Sequence, residues 1–385
     1  MVVVLLWAIA LGLGAYLIWH SQTNASSVES PTTSSAVAAA STTTSQPVTT
    51  TTQAPTTTTT VPDVLTVAAG GDVQGDRQVG NFLDKNGGEA IFTEVKPYME
   101  PADLAFVNLE GPISDTGTRN GSKEYTFRSR PALLDGLVST GINMVSLANN
   151  HSLDYRWAAL KDCIARLDAA DIAHAGAGGD FNEASAPTMI DAPAGTVALI
   201  AASEITVSFA SSSTRAGTYY TSSPNKGLLK NVTETAKKVD FLIVSLHWGT
   251  EYSPNANSHQ ISLAHALVDA GADLVLGHHP HVIQALEIYN DRLIAYSLGD
   301  FVWDWHSAYA GEAFVLQVEV PRDGPPSGRV IPVFLNRSTG APAIVTEDTA
   351  DRILGRLKSL SAKRGLELTR DGPILTFGDP GPEWF

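Results

Sequence analysis

The stretch GHHPHV, residues 277–282, concentrates side chains that can bind metal. It holds three of the chain's 10 histidines, His278, His279 and His281. In an extended segment the HPH triplet places two imidazoles two residues apart, and Pro280 fixes φ and stiffens the turn. Both rings can then reach one metal centre, so this turn predicts a metal site.

Similar side chains follow four other apolar segments, each of which is predicted to be a strand. In open α/β sheets, ligands bind at the carboxyl ends of the strands, so we expect these side chains to meet at one edge. The residues at the five strand ends are Asp72; Asn108 and Glu110; Asn149, Asn150 and His151; His247; and His278, His279 and His281.

Each of these residues has an ordinary explanation when it is taken alone. An aspartate after two glycines commonly forms a turn, and a single histidine at a strand end is more often a hydrogen-bonded core residue. Five strand ends in series are harder to explain in this way. Oxygen and imidazole ligands without thiolate favour Mn, Fe or Zn. The set predicts one or two divalent ions, and two ions roughly 3.5–4 Å apart would suit phosphoester or related hydrolysis.

The segments that carry these residues alternate between strand and helix, which predicts a layered α/β domain with helices on the faces of a parallel or mixed sheet. Antiparallel hairpins are predicted at 188–203 and 285–302, and between 313–320 and 328–336. The predicted strands are 64–72, 104–111, 142–151, 241–249 and 273–281, and the predicted helices are 89–99, 131–141, the segment around Cys163, and 258–271.

The two ends of the chain differ from this domain. Residues 1–20 begin with nineteen uncharged residues, and a spanning helix needs roughly 20 apolar residues. A cleaved signal peptide is the alternative, but the first Lys or Arg is Arg77, so the usual basic start is missing. We therefore favour a single-pass membrane anchor. Residues 21–62 are rich in Ser, Thr and Pro and predict a disordered linker. A linker of this kind suits the outer face of a membrane, so we expect the domain to lie outside the cytoplasm.

We expect the folded part to be one domain at 63–345, followed by a C-terminal helix and tail at 346–385. The formal net charge of −15 argues against a nucleic-acid partner. Cys163 is the single cysteine, so no intrachain disulfide can form. Its helical apolar neighbours indicate a buried small hydrophobe rather than a catalytic thiol.

Eight motifs in order carry a resemblance to a known family, over roughly residues 64–305. They are GGDVQGDR, FVNLEGPIS, FRSRP, VSLANNHSLDY, HAGAG, SLHWGTEY, GHHPHVIQ and YSLGDFVWD. The chain resembles the CapA-type capsule-synthesis proteins, the poly-γ-glutamate synthesis accessory family. The resemblance implies a calcineurin-like metallophosphoesterase fold, a four-layer α/β/β/α sandwich with mixed sheets, in a membrane-anchored protein that faces outward.

The resemblance also implies residue roles. His151 would be the general acid or a donor beside the metal, and His278 fills a variable place and is expected to be structural. Apart from the resemblance, substrate contacts are expected from Arg77 and Arg128, which lie beside the motifs, and from Asn108 at a strand end. The implied metal ligands are Asp72, Glu110, Asn150, His247, His279 and His281.

Two positions depart from the family pattern. Gln74 stands where the phosphoesterases carry a histidine, which puts one metal position in doubt. Asp300 stands where the family's SLGNF motif has asparagine. This extra carboxylate either compensates for the missing histidine or only caps a turn.

Two functions follow as expectations, and a third is weaker. The near-complete ligand set favours a metal-dependent hydrolase or transferase that acts on a surface polymer or its attachment. Gln74 favours a non-catalytic assembly factor that binds other capsule synthase subunits. A receptor for an anionic wall polymer is the third. Because a protein of net charge −15 repels poly-γ-glutamate at long range, local cations or metal ions would have to offset that repulsion.

The polar linker predicts that residues 63–385 fold without the N-terminal segment. Expressed alone, this part should be soluble and should unfold cooperatively, as circular dichroism during heating would show. An insoluble or molten product would contradict a separate domain.

Overall fold

The structure is a computed structural model that describes residues 63–304 and 309–381. The strands in this part are β1 (Val64–Val73), β2 (Leu104–Leu109), β3 (Met144–Ser146), β4 (Ala173–Ala175), β5 (Ala177–Gly178), β6 (Thr188–Ala192), β7 (Gly195–Ser203), β8 (Gly217–Thr218), β9 (Phe241–His247), β10 (Leu274–His278), β11 (Leu286–Tyr289), β12 (Arg292–Ala295), β13 (Asp300–Val302), β14 (Glu312–Pro321), β15 (Ser327–Leu335), β16 (Pro342–Ile344), β17 (Thr369–Asp371) and β18 (Ile374–Phe377).

The α-helices in the same part lie between these strands. They are α1 (Arg77–Asn86), α2 (Lys96–Met99), α3 (Ala132–Ser139), α4 (Arg156–Ala169), α5 (Phe181–Ser185), α6 (Lys226–Ala236), α7 (Ser258–Asp269) and α8 (Glu347–Ala362). Short 3₁₀ turns form at Glu89–Ile91 and Val207–Phe209.

Two mixed sheets organise the domain. The larger runs β17-β18-β15-β14-β1-β2-β3-β4, with β13 on β1 and β16 on β15, and the smaller runs β11-β12-β10-β9-β7-β6. Strands β1 to β4 are parallel to one another, as are β7, β9, β10 and β12. Antiparallel strands complete both sheets, and β5 pairs separately with β8. The predicted α/β class with mixed sheets is confirmed.

Alternating side chains on each strand create the layers. On β9, Phe241 and Ile243 join a core that both sheets share, whereas Leu242 and Val244 pack under α6 and α7. On β1, Val67 faces the shared core, and the opposite face of the larger sheet is covered by α1 to α4. Strands buried on both faces have near-continuous apolar sequences. The order of layers is therefore helix, sheet, sheet, helix.

Two predicted elements differ from the structure, and one helix was missed. The helix expected at 89–99 is a 3₁₀ turn and the short α2, because Pro97 lacks an N–H and disfavours helix before it. The third strand stops at Ser146, since the chain then turns so that Asn149 can donate to the Leu109 carbonyl at 2.8 Å. Helix α1, capped by Asp76, was not predicted.

The predicted hairpins at 188–203 and between 313–320 and 328–336 are confirmed as β6–β7 and β14–β15. The one predicted at 285–302 is correct only for β11–β12. After that hairpin the chain leaves the smaller sheet, and β13 pairs in parallel with β1 of the larger one. This crossing connects the two sheets next to the predicted metal residues.

The segment after residue 345 continues the same domain. Helix α8 contributes Ile353, Leu354 and Leu357 to the core between the sheets, and β18 pairs with β15. The predicted C-terminal helix is α8, and residues 346–381 pack against the rest of the fold. Cys163 is fully buried on α4, and burial raises the pKa of its thiol to about 12, which agrees with a small apolar core residue.

The predicted anchor at 1–20 and linker at 21–62 lie outside the described residues. Within the described ranges, none of the helices has the length and apolar character that a membrane crossing requires.

The close approach of β1 to β13 gives a prediction about Gly71. A Cβ added there would lie 1.9 Å from the Gly299 carbonyl oxygen, so Gly71→Ala must push the strands apart. We expect it to lower the free energy of unfolding by about 1–3 kcal/mol in urea titrations.

Gly355→Ala on α8 is the matched control for that substitution. In the described part of the chain nothing lies within 4 Å of its added Cβ, and alanine should stabilise the helix by roughly 0.5–1 kcal/mol. Equal effects of the two substitutions would contradict the packing argument.

Candidate metal centre

Strand register aligns the first polar residues. Asp72 on β1 lies beside Asn108 on β2 and beside Asp300 on β13. In the smaller sheet, His247 at the end of β9 lies beside His278 at the end of β10. The carboxyl ends of strands from both sheets therefore meet here, and the side chains from the two sheets contact one another.

Glu110 occupies the middle of this group. It is fully buried, and its Oε1 has no hydrogen-bond partner among the described residues. Three imidazole Nε2 atoms surround that oxygen, those of His247 at 3.7 Å, His151 at 3.8 Å and His281 at 4.0 Å. These distances exceed a hydrogen bond. They match the separation between two atoms that bind the same ion, since each ligand atom lies roughly 2.0–2.2 Å from the metal.

Asp72 is held by contacts on both of its oxygens. Its Oδ1 accepts from Asn108 Nδ2 at 2.8 Å and lies 3.1 Å from His278 Nδ1, and its Oδ2 accepts from the backbone N–H of His279 at 3.2 Å. Burial alone would raise the pKa of Asp72, but the bond and charge of His278, together with His281, lower it below its usual value. Asp72 therefore stays ionised in the interior.

Glu110 responds in the opposite way. Burial, reinforced by the negative charge of Asp72, raises the pKa of Glu110 well above its usual value. His281 lies between carboxylates, with Nδ1 2.8 Å from Asp300 Oδ1 and 3.6 Å from Asp72 Oδ2. Burial opposes its protonation, but Asp300 and Glu110 outweigh burial and raise the pKa of His281 to about 10. A cation bound between these carboxylates would take the place of the proton on His281.

The remaining predicted ligands lie around the same group. Asn150 Oδ1 is 2.7 Å from His247 Nε2, and the ring centroids of His247 and His279 are 4.8 Å apart. Burial, followed by the charge of His279, lowers the pKa of His247 well below its usual value. Burial, followed by the charge of His281, lowers the pKa of His279 to about 3. Both rings are thus neutral, as metal ligands must be.

Unpartnered buried atoms test whether this set fits a metal ion. Within the described ranges, Glu110 Oε1, Asp300 Oδ2 and His279 Nδ1 are buried without a hydrogen bond. Buried polar groups normally have partners, and a bound ion is one explanation for an exception. Possible ligand atoms of Asp72, Glu110 and His281 all lie within 4.8 Å of one another. The donor set therefore fits a divalent cation.

His151 lies at the rim of this group. Its Nδ1 is 2.5 Å from Asp154 Oδ2, its ring packs on Phe127 at 4.1 Å, and its Nε2 points toward Glu110. Lys123 Nζ binds the other oxygen of Asp154 at 2.6 Å. Burial lowers the pKa of His151 to about 4. Sequence analysis missed Asp154, although its position three residues after His151 in a loop was a usable signal.

The two departures from the family pattern have separate outcomes. Gln74 is buried, accepts from the Asp76 N–H at 2.6 Å and donates to Asp304 Oδ1 at 3.0 Å, so it makes structural hydrogen bonds. Asp300 lies in register with Asp72, and one of its oxygens has no hydrogen bond within the described chain. Asp300 is therefore a carboxylate of the centre and not merely a turn cap.

The three predicted substrate contacts lie in different places. Arg77 lines the cleft, pairs with Asp304 and lies over the Phe127 ring at 4.6 Å. Asn108 is fully buried, donates to Asp72 Oδ1 at 2.8 Å and does not line the cleft. Arg128 does not line the cleft, because it donates to the Thr116 carbonyl at 3.1 Å and stacks on Tyr155. His278 is fully buried with its Nδ1 3.1 Å from Asp72 Oδ1, and its Nε2 has no hydrogen-bond partner in the described chain.

A cleft of about 710 Å³ opens over the centre. His151 and His281 lie at its base, and Phe127 and Trp303 form part of its wall. Tyr252 at the mouth is 60% exposed. A ligand in this cleft would touch His151 and the outer side of the histidine turn, while Asp72 and Glu110 remain covered.

The family described as bacterial capsule synthesis protein PGA_cap matches residues 66–305, more than half of the chain. The PGA biosynthesis protein CapA of Bacillus subtilis is 28% identical over 73% of this chain and 74% of its own length. The capsule biosynthesis protein CapA of Bacillus anthracis is 29% identical over 80% of this chain and 77% of its own length.

A solved structure described as a novel phosphatase from Mycoplasma pneumoniae has a weaker similarity to this chain. It is 14% identical, covers 72% of this chain and 90% of that one, and has a TM-score of 0.41.

The assignment of His279 and His281 as metal ligands can be tested by substitution. Replacing His279 and His281 with glutamine should remove bound metal, as elemental analysis would measure. It should also lower the melting temperature of the metal-loaded protein, because an ion at 100 times its Kd stabilises the folded state by about 2.7 kcal/mol.

His259→Gln is the control for this double substitution. His259 pairs with Glu204 outside the centre, so metal content should stay at the wild-type level. If the double variant also keeps wild-type metal, the ligand assignment is wrong.

Proposed function

Because this chain belongs to the bacterial capsule synthesis family PGA_cap, we propose that it acts in poly-γ-glutamate capsule biosynthesis as a metal-dependent hydrolase or transferase. Its substrate would be a surface polymer or the attachment of that polymer. One observation carries the enzymatic part of the proposal: three imidazoles surround the buried Oε1 of Glu110, and two of them, those of His151 and His281, line the cleft.

The proposed superfamily is that of the calcineurin-like metallophosphoesterases. Two face-to-face mixed sheets, with ligands at the carboxyl ends of their strands, support this assignment. One or two divalent ions, Mn, Fe or Zn, would be held by Asp72, Glu110, Asn150, His247, His279 and His281. Such ions supply Lewis-acid polarisation of a phosphoryl or carbonyl oxygen.

His151 is the proposed acid–base residue. Asp154 accepts a hydrogen bond from Nδ1, which leaves the lone pair on Nε2 directed toward the centre. Since burial lowers the pKa of His151 to about 4, its ring is neutral at physiological pH and ready to accept a proton from a nucleophile. The same Nε2 would return that proton to the leaving oxygen, and such transfer contributes roughly 10²–10⁴ in rate.

The charges of the cleft constrain the substrate. Glu251, Asp300 and Asp304 line it, and Arg77 beside them is paired with Asp304. A polyanion such as poly-γ-glutamate would be repelled from these carboxylates unless cations intervene. Ions bound at Glu110 would supply that positive charge where the reacting group approaches.

The proposed location is the outer face of the cell membrane. The uncharged run at 1–20 supports an N-terminal anchor, and the Ser, Thr and Pro composition of 21–62 supports a flexible linker. Partners at this location would be the anionic polymer and other subunits of the capsule synthase. No nucleic-acid partner is proposed, because the net charge is −15.

A non-catalytic assembly factor is the second candidate. The observation in its favour is Gln74, whose side chain is bound to Asp304 and to the Asp76 N–H where a phosphoesterase would have a histidine. In that case the buried centre would stabilise the fold, and the cleft would bind a partner without chemistry.

Replacing His151 separates the two candidates. His151→Ala should retain metal and melt near the wild-type temperature, because Asp154 keeps its bonds to Lys123 and to the Phe127 N–H. Hydrolysis of p-nitrophenyl phosphate should fall by roughly 10²–10⁴, and capsule production in cells should be lost.

His174→Ala is the control for His151→Ala, since His174 pairs with Asp168 away from the cleft. Survival of both activities in His151→Ala, with metal retained, would favour the assembly factor.

A further inference from the structure

Glu251 lies at the mouth of the cleft beside the histidine turn. Possible ligand atoms of Glu251, His279 and His281 all lie within 4.8 Å of one another. Glu251 is exposed and the two histidines are buried. Sequence analysis did not select Glu251, because it follows β9 by four residues and not at the strand end.

Backbone and side-chain contacts hold Glu251 in this position. The N–H of Tyr252 donates to the Pro280 carbonyl at 2.7 Å, within the His-Pro-His turn. Gln284, just beyond the turn, donates from Nε2 to the Ser253 carbonyl at 2.8 Å. The loop that carries Glu251 is therefore fixed to the segment that carries the two imidazoles.

Three residues of these facing segments have positive φ, although none is glycine. The values are 60° at Tyr252, 94° at His279 and 56° at His281. Non-glycine residues rarely take this conformation, and it persists at functional sites when the surroundings enforce it. Here the positive φ sets the direction of the chain at Tyr252, next to Glu251, and at both histidines.

His279 supplies an independent observation that points to a ligand. Its ring is 95% buried, since 5% is exposed, and its Nδ1 has no hydrogen-bond partner in the described chain. A buried lone pair beside a carboxylate and a second imidazole is suited to a metal ion.

The composition of this group is that of an open metal site. Two histidines and one carboxylate hold zinc in hydrolases that keep a fourth position for substrate, and similar sets hold Fe(II). The second group, Asp72, Glu110 and His281, is buried behind it and shares His281. Gln74 cannot complete either group while it is bound to Asp304 and Asp76.

We propose that Glu251, His279 and His281 form an outer divalent-metal position at the cleft, and that Glu251 supplies the ligand that Gln74 does not. This inference rests on the proposed metal-dependent function and extends it. The inner ion would be held by Asp72, Glu110 and His247, because His281, whose Nδ1 lies against Asp300, has only Nε2 to offer and would give it to the outer ion, which would face the substrate. Occupancy of the outer position would then depend on an exposed carboxylate and be the weaker of the two.

Calorimetric titration with Zn²⁺ tests the proposal on the full-length protein, purified in detergent and stripped with a chelator. Wild type should bind two equivalents in two steps. Glu251→Gln should keep the tighter step and weaken the other by at least about tenfold. Glu367→Gln, an exposed glutamate after α8, should leave both steps unchanged.

The outcomes separate this proposal from the function on which it rests. Two unchanged steps in Glu251→Gln would overturn the role of Glu251. A single step that Glu251→Gln does not affect would overturn the outer position, while the inner centre and the proposed function stand. No Zn²⁺ binding by wild type would overturn both. Because Glu251 is exposed, the melting temperature of the metal-free variant should match wild type.

Discussion

The burial of several carboxylates together is the constraint on which the rest of this structure depends. Asp72, Glu110 and Asp300 are each at most 1% exposed and lie within contact of the same imidazole, His281. Charges removed from water must be paired or bound to a metal. Contacts from Asn108 and His278 partly balance the charge of Asp72. One oxygen of Glu110 has no hydrogen bond among the described residues. A cation at that oxygen would balance the site.

The two sheets make this burial possible. Strands with apolar side chains on both faces create a shared core and two outer cores, so the sheet edges are held firmly where they meet. The crossing of β13 from the smaller sheet to the larger one brings Asp300 beside Asp72. At this junction, Gly71 approaches the backbone at Gly299 too closely for any side chain. The contact between β1 and β13 therefore joins the two sheets and also places Asp72 beside Asp300.

The site is graded from its interior to the cleft. Asp72 and Glu110 are fully covered, His151 and His281 reach the base of the cleft, and Glu251 is exposed at its mouth. Strong electrostatic coupling is confined to the interior, where water does not screen it. The rim is where the backbone adopts positive φ and where Asp154 and Lys123 orient His151. This division gives a rigid ion-binding interior and a rim that can select a ligand.

Period-two and helical patterns in the sequence were sufficient to predict the α/β class, most strand positions and two of the hairpins. Polar residues at strand ends predicted most of the side chains that meet around Glu110, because the carboxyl ends of parallel strands necessarily share an edge. The sequence alone did not reveal the partners that come from loops. Asp154, Glu251 and the placement of Asp300 depend on turns and on a strand that changes sheets, and such long-range contacts leave no periodic signal. Tertiary structure also decided that Asn108 and Arg128 do not line the cleft, since Asn108 is buried against Asp72 and Arg128 donates to the Thr116 carbonyl.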